Sequence, residues 1–216
     1  MTGHRPASQL CLQFESSSDG VANLSRLALA LRTVSFSSVI LSGPAGQSFD
    51  AALLQPLIAL VQSNGIAALL HGEAQWARDL SADGVHVPWG EDIAASYASA
   101  RAIMGTKFIA GADAGRSRHD AMALAEAGAD YIGFGIPPHV EDREVAAGRR
   151  LDLAEWWAEI FEIPVMALDV ETAGDVAALS AVQTDFIAVR LAASATGSEF
   201  EAQLLAMTAA REPVPA

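Results

Sequence analysis

A short plan recurs three times along the chain, as Ala82-Asp83-Gly84-Val85-His86-Val87, Ala129-Asp130-Tyr131-Ile132-Gly133-Phe134 and Thr184-Asp185-Phe186-Ile187-Ala188-Val189. Each copy runs from an Asp through a small or aromatic residue to a β-branched one, then a small or polar residue and an apolar one. That is the pattern of a short buried strand. The copies lie roughly fifty residues apart, which is room for two strand-helix units of ordinary length. The repeat therefore marks every second strand of an alternating array, and three marks imply an array large enough to close.

Strand patterns fall at residues 9–14, 37–41, 67–70, 84–87, 107–110, 131–134, 164–168 and 186–189. Helical patterns fall between them at 21–33, 49–64, 73–81, 93–104, 117–127, 153–160, 171–179 and 198–211. Gly65 and Gly128 stand where a left-handed residue closes a helix, and Ser117 and Ser198 where N-caps belong. Eight strands each followed by a helix predict an α/β fold, a single (βα)8 TIM barrel spanning 1–216. An open doubly wound sheet is the rival. It would want a Gly-x-Gly-x-x-Gly after the first strand, and none is present. The longest polar connection, about 135–150, follows the sixth strand and is expected to form a lid over the C-terminal mouth.

Thirteen basic against twenty-six acidic side chains give a net charge of −13, which disfavours nucleic acid and anionic membrane as partners. Cys11 is the lone cysteine and lies in an apolar run, so it reads as a small buried hydrophobe outside any disulfide framework. No stretch reaches the roughly twenty apolar residues of a membrane span, and Gln13 and Glu15 interrupt the first apolar run. The expected location is cytoplasmic. Helix surfaces rich in Ala and Leu would allow a homo-oligomer.

In a barrel of this kind chemistry sits at the C-terminal ends of the strands. Those positions hold Glu15, Ser42, His71 with Glu73, Glu91 with Asp92, Asp113, Arg143, Asp169 and Arg190, an acidic balance. His71, Asp113 and Arg143 are the candidates for catalysis. His86, between Val85 and Val87, reads as a hydrogen-bonded interior histidine, and Asp83, Asp130 and Asp185 as turn or cap residues. Trp156 and Trp157 read as packing residues, and Arg149 and Arg150 as flanking the lid.

Ser81-Ala82-Asp83-Gly84-Val85-His86-Val87, followed by Trp89-Gly90-Glu91-Asp92 and later by Glu126-Ala127-Gly128-Ala129-Asp130-Tyr131-Ile132-Gly133-Phe134-Gly135, resembles the thiamine phosphate synthase family, which includes the TenI-type thiazole tautomerases. The resemblance covers most of the chain. It implies a barrel that binds phosphorylated pyrimidine and thiazole ligands and joins them with Mg2+ and loss of pyrophosphate. It also implies metal ligands at Glu73 and at Glu91 or Asp92, and ligand contacts from Ser42, Gly133, Gly135, His139, Asp169 and Arg190.

The family's anion-binding motifs are altered here. The Gln-x-Arg-x-Lys stretch after the second strand reads Ser42-Gly43-Pro44, and the Asn-Asp after the third reads His71-Gly72. The Thr-x-Thr-Lys loop reads Val140-Glu141-Asp142-Arg143, which keeps only the charge. The phosphate-binding Gly-Gly turn reads Asp169-Val170, and Leu191 after Arg190 replaces the last Ser. The fifth strand leads into Gly111-Ala112-Asp113, with His119 already inside the next helix, so the tautomerase histidine is displaced too. Three readings stand: a transferase of the family type; a barrel that binds a thiazole, a pyrimidine or a partner without catalysing the transfer; and a different metal-assisted or acid/base reaction. In the second, Asp169 pairs with Arg190 and closes the phosphate pocket.

Overall fold

The computed structural model describes residues 7–44, 50–137, 139–191 and 197–211. Among them eight strands alternate with eight helices: β1 Gln9–Glu15, α1 Gly20–Thr33, β2 Ser38–Ser42, α2 Ala51–Ser63, β3 Ala67–His71, α3 Ala74–Asp79, β4 Gly84–Val87, α4 Ile93–Met104, β5 Ile109–Asp113, α5 Arg118–Glu126, β6 Ile132–Phe134, α6 Arg143–Ile160, β7 Val165–Val170, α7 Ala173–Ala181, β8 Phe186–Arg190 and α8 Gly197–Arg211. Each strand is parallel to the next, and β8 pairs with β1 to close the barrel. The start expected for the second helix, residue 49, lies outside the described residues. From Ala51 onward α2 is capped by Asp50, whose carboxylate accepts from Ala52 N at 2.9 Å. No helix among the described residues is long and apolar enough to cross a membrane.

Alternation along the strands sorts the apolar residues into two cores. Cys11, Ile40, Leu69, Tyr131, Met166, Leu168 and Ala188 fill the lumen, while Leu10, Leu12, Val39, Leu41, Leu70, Val85, Val165, Ala167 and Val189 pack outward under the helices. Gly111 faces Tyr131 across the lumen. A Cβ there would lie 2.1 Å from Tyr131 Cζ, so only glycine admits the ring.

The recurring aspartates explain the repeat. Asp83, just before β4, accepts from Ala68 N of β3 at 2.8 Å; Asp130, before β6, from Ala110 N of β5 at 2.8 Å; and Asp185, before β8, from Val165 N of β7 at 2.9 Å. Each carboxylate thus latches the neighbouring odd-numbered strand at the bottom of the barrel. On β5 the latch is reinforced from α4. Arg101 donates to the carbonyls of Gly105, Phe108, Ala110 and Gly128 and to Asp130 Oδ2 at 2.6 Å. Arg101→Ala removes the one cation that four carbonyls share, of which only that of Ala110 has the Asp130 N–H, at 3.0 Å, as a further donor outside the sheet and helix ladders. Its expected cost is about 3 kcal/mol of folding stability, read as a drop in the urea midpoint with unchanged slope. A loss under about 0.5 kcal/mol would mean that water replaces the guanidinium.

Most elements fall within two residues of their expected bounds, and two differ by more. The fifth strand runs later than residues 107–110, because its centre is Ala110-Gly111-Ala112, small residues that carry no strand signature, and the shift brings Asp113 onto the strand end. Helix α6 starts ten residues before the expected 153, with Asp142 as its cap accepting from Val145 N at 3.0 Å. Its first turns show no apolar stripe, since the residues they bury are Ala146 and Arg150. The connection after β6 therefore ends at residue 142.

Candidate functional site

Two residues beyond an inward-facing strand residue the side chain faces inward again. Cys11, Ile40, Leu69, Gly111 and Ala188 in the lumen thus place Gln13, Ser42, His71, Asp113 and Arg190 at its C-terminal mouth. Ser42, His71, Asp113 and Arg190 each end a strand whose interior is apolar, and Gln13 sits two residues before the end of β1.

Below the mouth lies a polar ladder. The His71 and His86 rings are 5.7 Å apart, and His86 Nδ1 shares a 2.9 Å hydrogen bond with the Tyr131 hydroxyl. Burial, with His71 beside it, lowers the His86 pKa to about 3, so the ring is neutral. Burial also lowers that of His71, as does Arg190, while Asp169 and Glu15 act against this.

Asp113 is buried, and its Oδ1 accepts from Gly115 N at 2.7 Å and Gly135 N at 2.9 Å. Desolvation outweighs those two bonds and, with Asp169 close by, raises the pKa to about 7. The two carboxylates flank Gly135. A Cβ there would sit 2.4 Å from Asp113 Oδ2 and 3.1 Å from Asp169 Oδ2, which explains the glycine.

Asp169 is the hub. Its carboxylate accepts from Ile136 N at 3.0 Å, lies 3.3 Å from the Arg190 guanidinium and 3.4 Å from Gln13 Nε2, and its own N–H donates to Gln13 Oε1 at 2.6 Å. Its φ is +56°, a left-handed conformation that costs a non-glycine residue on the order of 1 kcal/mol. The expected ion pair with Arg190 is therefore formed, and it is joined by a backbone N–H.

The other expected site residues have partners and surroundings of their own. Gly133 makes room for Leu168, whose Cδ1 is 2.8 Å from a built Cβ. Ser42 accepts through its carbonyl from Ser16 N and Oγ. His139 is exposed, with its ring 5.3 Å from that of Trp89. Arg143 pairs with Glu171 at 3.6 Å across a cleft of about 420 Å3 between α6 and α7, whose lining also includes Glu144, Arg150, Asp169 and Asp175. Glu73, Glu91 and Asp92 are exposed, and Asp92 caps α4 by accepting from Ala95 N at 3.0 Å. Among the described residues no three His, Cys, Asp or Glu side chains come together to hold a metal ion.

Two site residues escape a reading of strand ends. Gln13 lies inside an apolar run, at the inward parity that could have revealed it. Arg150 is 2 % exposed within a polar stretch and gives no such signal.

Comparison with known proteins finds a family model described as thiamine monophosphate synthase (TMP-TENI) matching residues 45–193. Curated proteins called thiamine-phosphate synthase are similar to the chain. That of Hyphomonas neptunium is 37% identical over 131 residues, which are 61% of this chain and 58% of the relative. That of Erythrobacter litoralis is 36% identical over 141 residues, 64% and 65% of the two. The chain thus spans about three fifths of the length of these relatives. Among solved structures, thiamine phosphate pyrophosphorylase from Pyrococcus furiosus superposes with a TM-score of 0.71 at 16% identity over 94% and 95% of the two chains. Tryptophan synthase of Mycobacterium tuberculosis superposes at 0.70 with 12% identity over 94% and 92%. These superpositions share the barrel alone.

Proposed function

The chain belongs to the thiamine monophosphate synthase family, and we propose that it is a divergent member whose mouth has become self-neutralised, leaving an altered activity or none in place of the coupling of two phosphorylated precursors. One observation carries this reading: the Asp169 carboxylate already occupies the Ile136 N–H and the Arg190 cation. An incoming phosphate must displace a group tethered to the chain, which pays no association entropy, and no glycine backbone at 169–170 offers compensating donors. The second-strand clamp is also absent, since Ser42-Gly43-Pro44 carries no cation for a diphosphate.

The mouth retains acid/base capacity. Asp113 carries its proton on about half of the molecules near pH 7, and neutral His71 can accept one. It therefore suits a thiazole or pyrimidine without its phosphate, with Ser42, Gly135 and His139 around the ligand. Mg2+ would enter only with a diphosphate that brings its own oxygens, held by one or two of Glu73, Glu91 and Asp92. A cytoplasmic location is part of the same reading, as the buried Cys11 suits a reducing compartment. Association with a second copy belongs to it too, as apolar Ile103, Met122 and Leu205 stand exposed on the helices.

The second reading is an active synthase. It is favoured by the relatives' names and by Arg143, which keeps a charge at the start of α6. Incubation with hydroxymethylpyrimidine diphosphate, thiazole phosphate and Mg2+ separates the two. The expected yield of thiamine phosphate is at least about a thousandfold below an ordinary turnover of a few per second. Turnover at that ordinary rate, abolished by Arg143→Ala, would establish the synthase instead.

A further inference from the structure

We infer that Arg150 is the positioning residue that turns Asp169 into the mouth, and that it thereby decides whether the mouth accepts an external anion. The inference rests on the closed-site reading above. Along β7, Val165 and Ala167 pack outward and Met166 and Leu168 inward. Strict alternation would send Asp169 outward, towards α6 and α7, and Val170 inward. Both are reversed: the Asp169 carboxylate reaches Ile136 N and Arg190, and Val170 packs in the outer core.

The cause is one extra residue on β7. Ala167 is paired with Ile187 and Val170 with Val189, so three steps on β7 face two on β8. In a regular strand, successive carbonyls point to opposite sides. Here the carbonyls of Leu168 and Asp169 both accept from one nitrogen, Arg150 Nη1, at 2.7 and 2.8 Å. That arrangement fits the bulge and not a regular strand, so the guanidinium favours the bulged form.

The arrangement is costly to build. Arg150 is 2 % exposed, its Nε has no partner among the described residues, and its ion pair with Asp175 is long at 3.5 Å. A well-packed apolar residue at such a place is often neutral or better for stability. What the arginine adds is the conformation of Asp169.

The test compares Arg150→Met, Arg150→Lys, Asp169→Gly and the double variant Arg150→Lys/Asp169→Gly with the wild type, titrating each with inorganic phosphate in a calorimeter and checking the fold by circular dichroism. Lysine keeps the charge but cannot bridge two carbonyls and Asp175 through one planar fork, so the comparison stands even if Arg150→Met fails to fold. Phosphate affinity should rise at least about tenfold in Arg150→Lys, and more in Arg150→Met. In the Asp169→Gly background the Arg150 change should add nothing, whereas a merely structural defect would act equally in both backgrounds. A folded Arg150→Lys that binds phosphate no better than wild type, while Asp169→Gly binds it, would overturn the role of Arg150 and leave the closed site standing. If Asp169→Gly gains nothing either, both fall.

Discussion

Asp169→Gly is expected to raise the affinity for thiazole phosphate at least about a hundredfold. Three effects act in the same direction. The substitution removes the carboxylate that competes for the site, freeing Ile136 N–H and the half-exposed Arg190 guanidinium. It places at φ +56° the residue that tolerates that conformation without strain. It also lets a phosphate approach the backbone closely, as anion sites at the ends of barrel strands require. Calorimetry reads the change directly, and an affinity unchanged from wild type would mean that Asp169 is not what keeps phosphate out.

Asp113→Asn is expected to change how stability depends on pH. Between about pH 4 and 6.5 the unfolded chain has Asp113 ionised and His86 protonated, whereas the folded chain keeps the proton on Asp113 and none on His86. Folding thus takes up one proton at Asp113 and releases one at His86. The two slopes cancel in the wild type.

With Asn at position 113 the histidine contribution is left alone. The unfolded state then binds more protons, so stability should rise with pH by about 1.4 kcal/mol per unit between about pH 3 and 6.5, and His71 adds in the same sense. Above pH 7 the sign concerns Asp113 itself. Its raised pKa means that the contribution of Asp113 to stability falls as pH rises from 3.8 towards 7, offset by His86 only up to about pH 6.5, and its full penalty, roughly 4 kcal/mol, is present at pH 8. Asn keeps the acceptor for Gly115 N and Gly135 N without the buried charge, so the variant should be several kcal/mol more stable than wild type at pH 8. Urea titrations across pH test both statements. A variant with wild-type stability at pH 8 would show that Asp113 is solvated there.

The barrel was legible because its signals are local. Asp83, Asp130 and Asp185 each announce a strand start, and their bonds to the preceding strand are the physical reason for the repeat. The nearness of Asp169 and Arg190 was legible for a related reason, since the ends of adjacent strands of a closed barrel are neighbours, but their ion pair also needs the bulge that turns Asp169 inward. Burial of Cys11 and His86 followed from strand alternation.

What escaped was decided by tertiary contacts. The start of α6 carries a cap but no apolar stripe, because the side chains it buries are Ala146 and Arg150, the second a residue that patterning assigns to the surface. Gln13 was masked by its apolar neighbours, and its partner lies 156 positions away. The bulge at Asp169 cannot be read from Met166-Ala167-Leu168-Asp169-Val170, which alternates without interruption. The arginine that holds it comes from another helix. Position alone likewise did not tell whether Glu73, Glu91 and Asp92 converge, and in the fold they stand exposed on loops.

Whether the mouth holds its own anion decides what it can bind. Titration of the wild-type protein with thiazole phosphate, followed by calorimetry at neutral pH and moderate salt, tests this most directly. The predicted result is no saturable heat below about 1 mM ligand, a binding free energy weaker than about −4 kcal/mol. Micromolar, saturable binding of thiazole phosphate to the unaltered chain would contradict it.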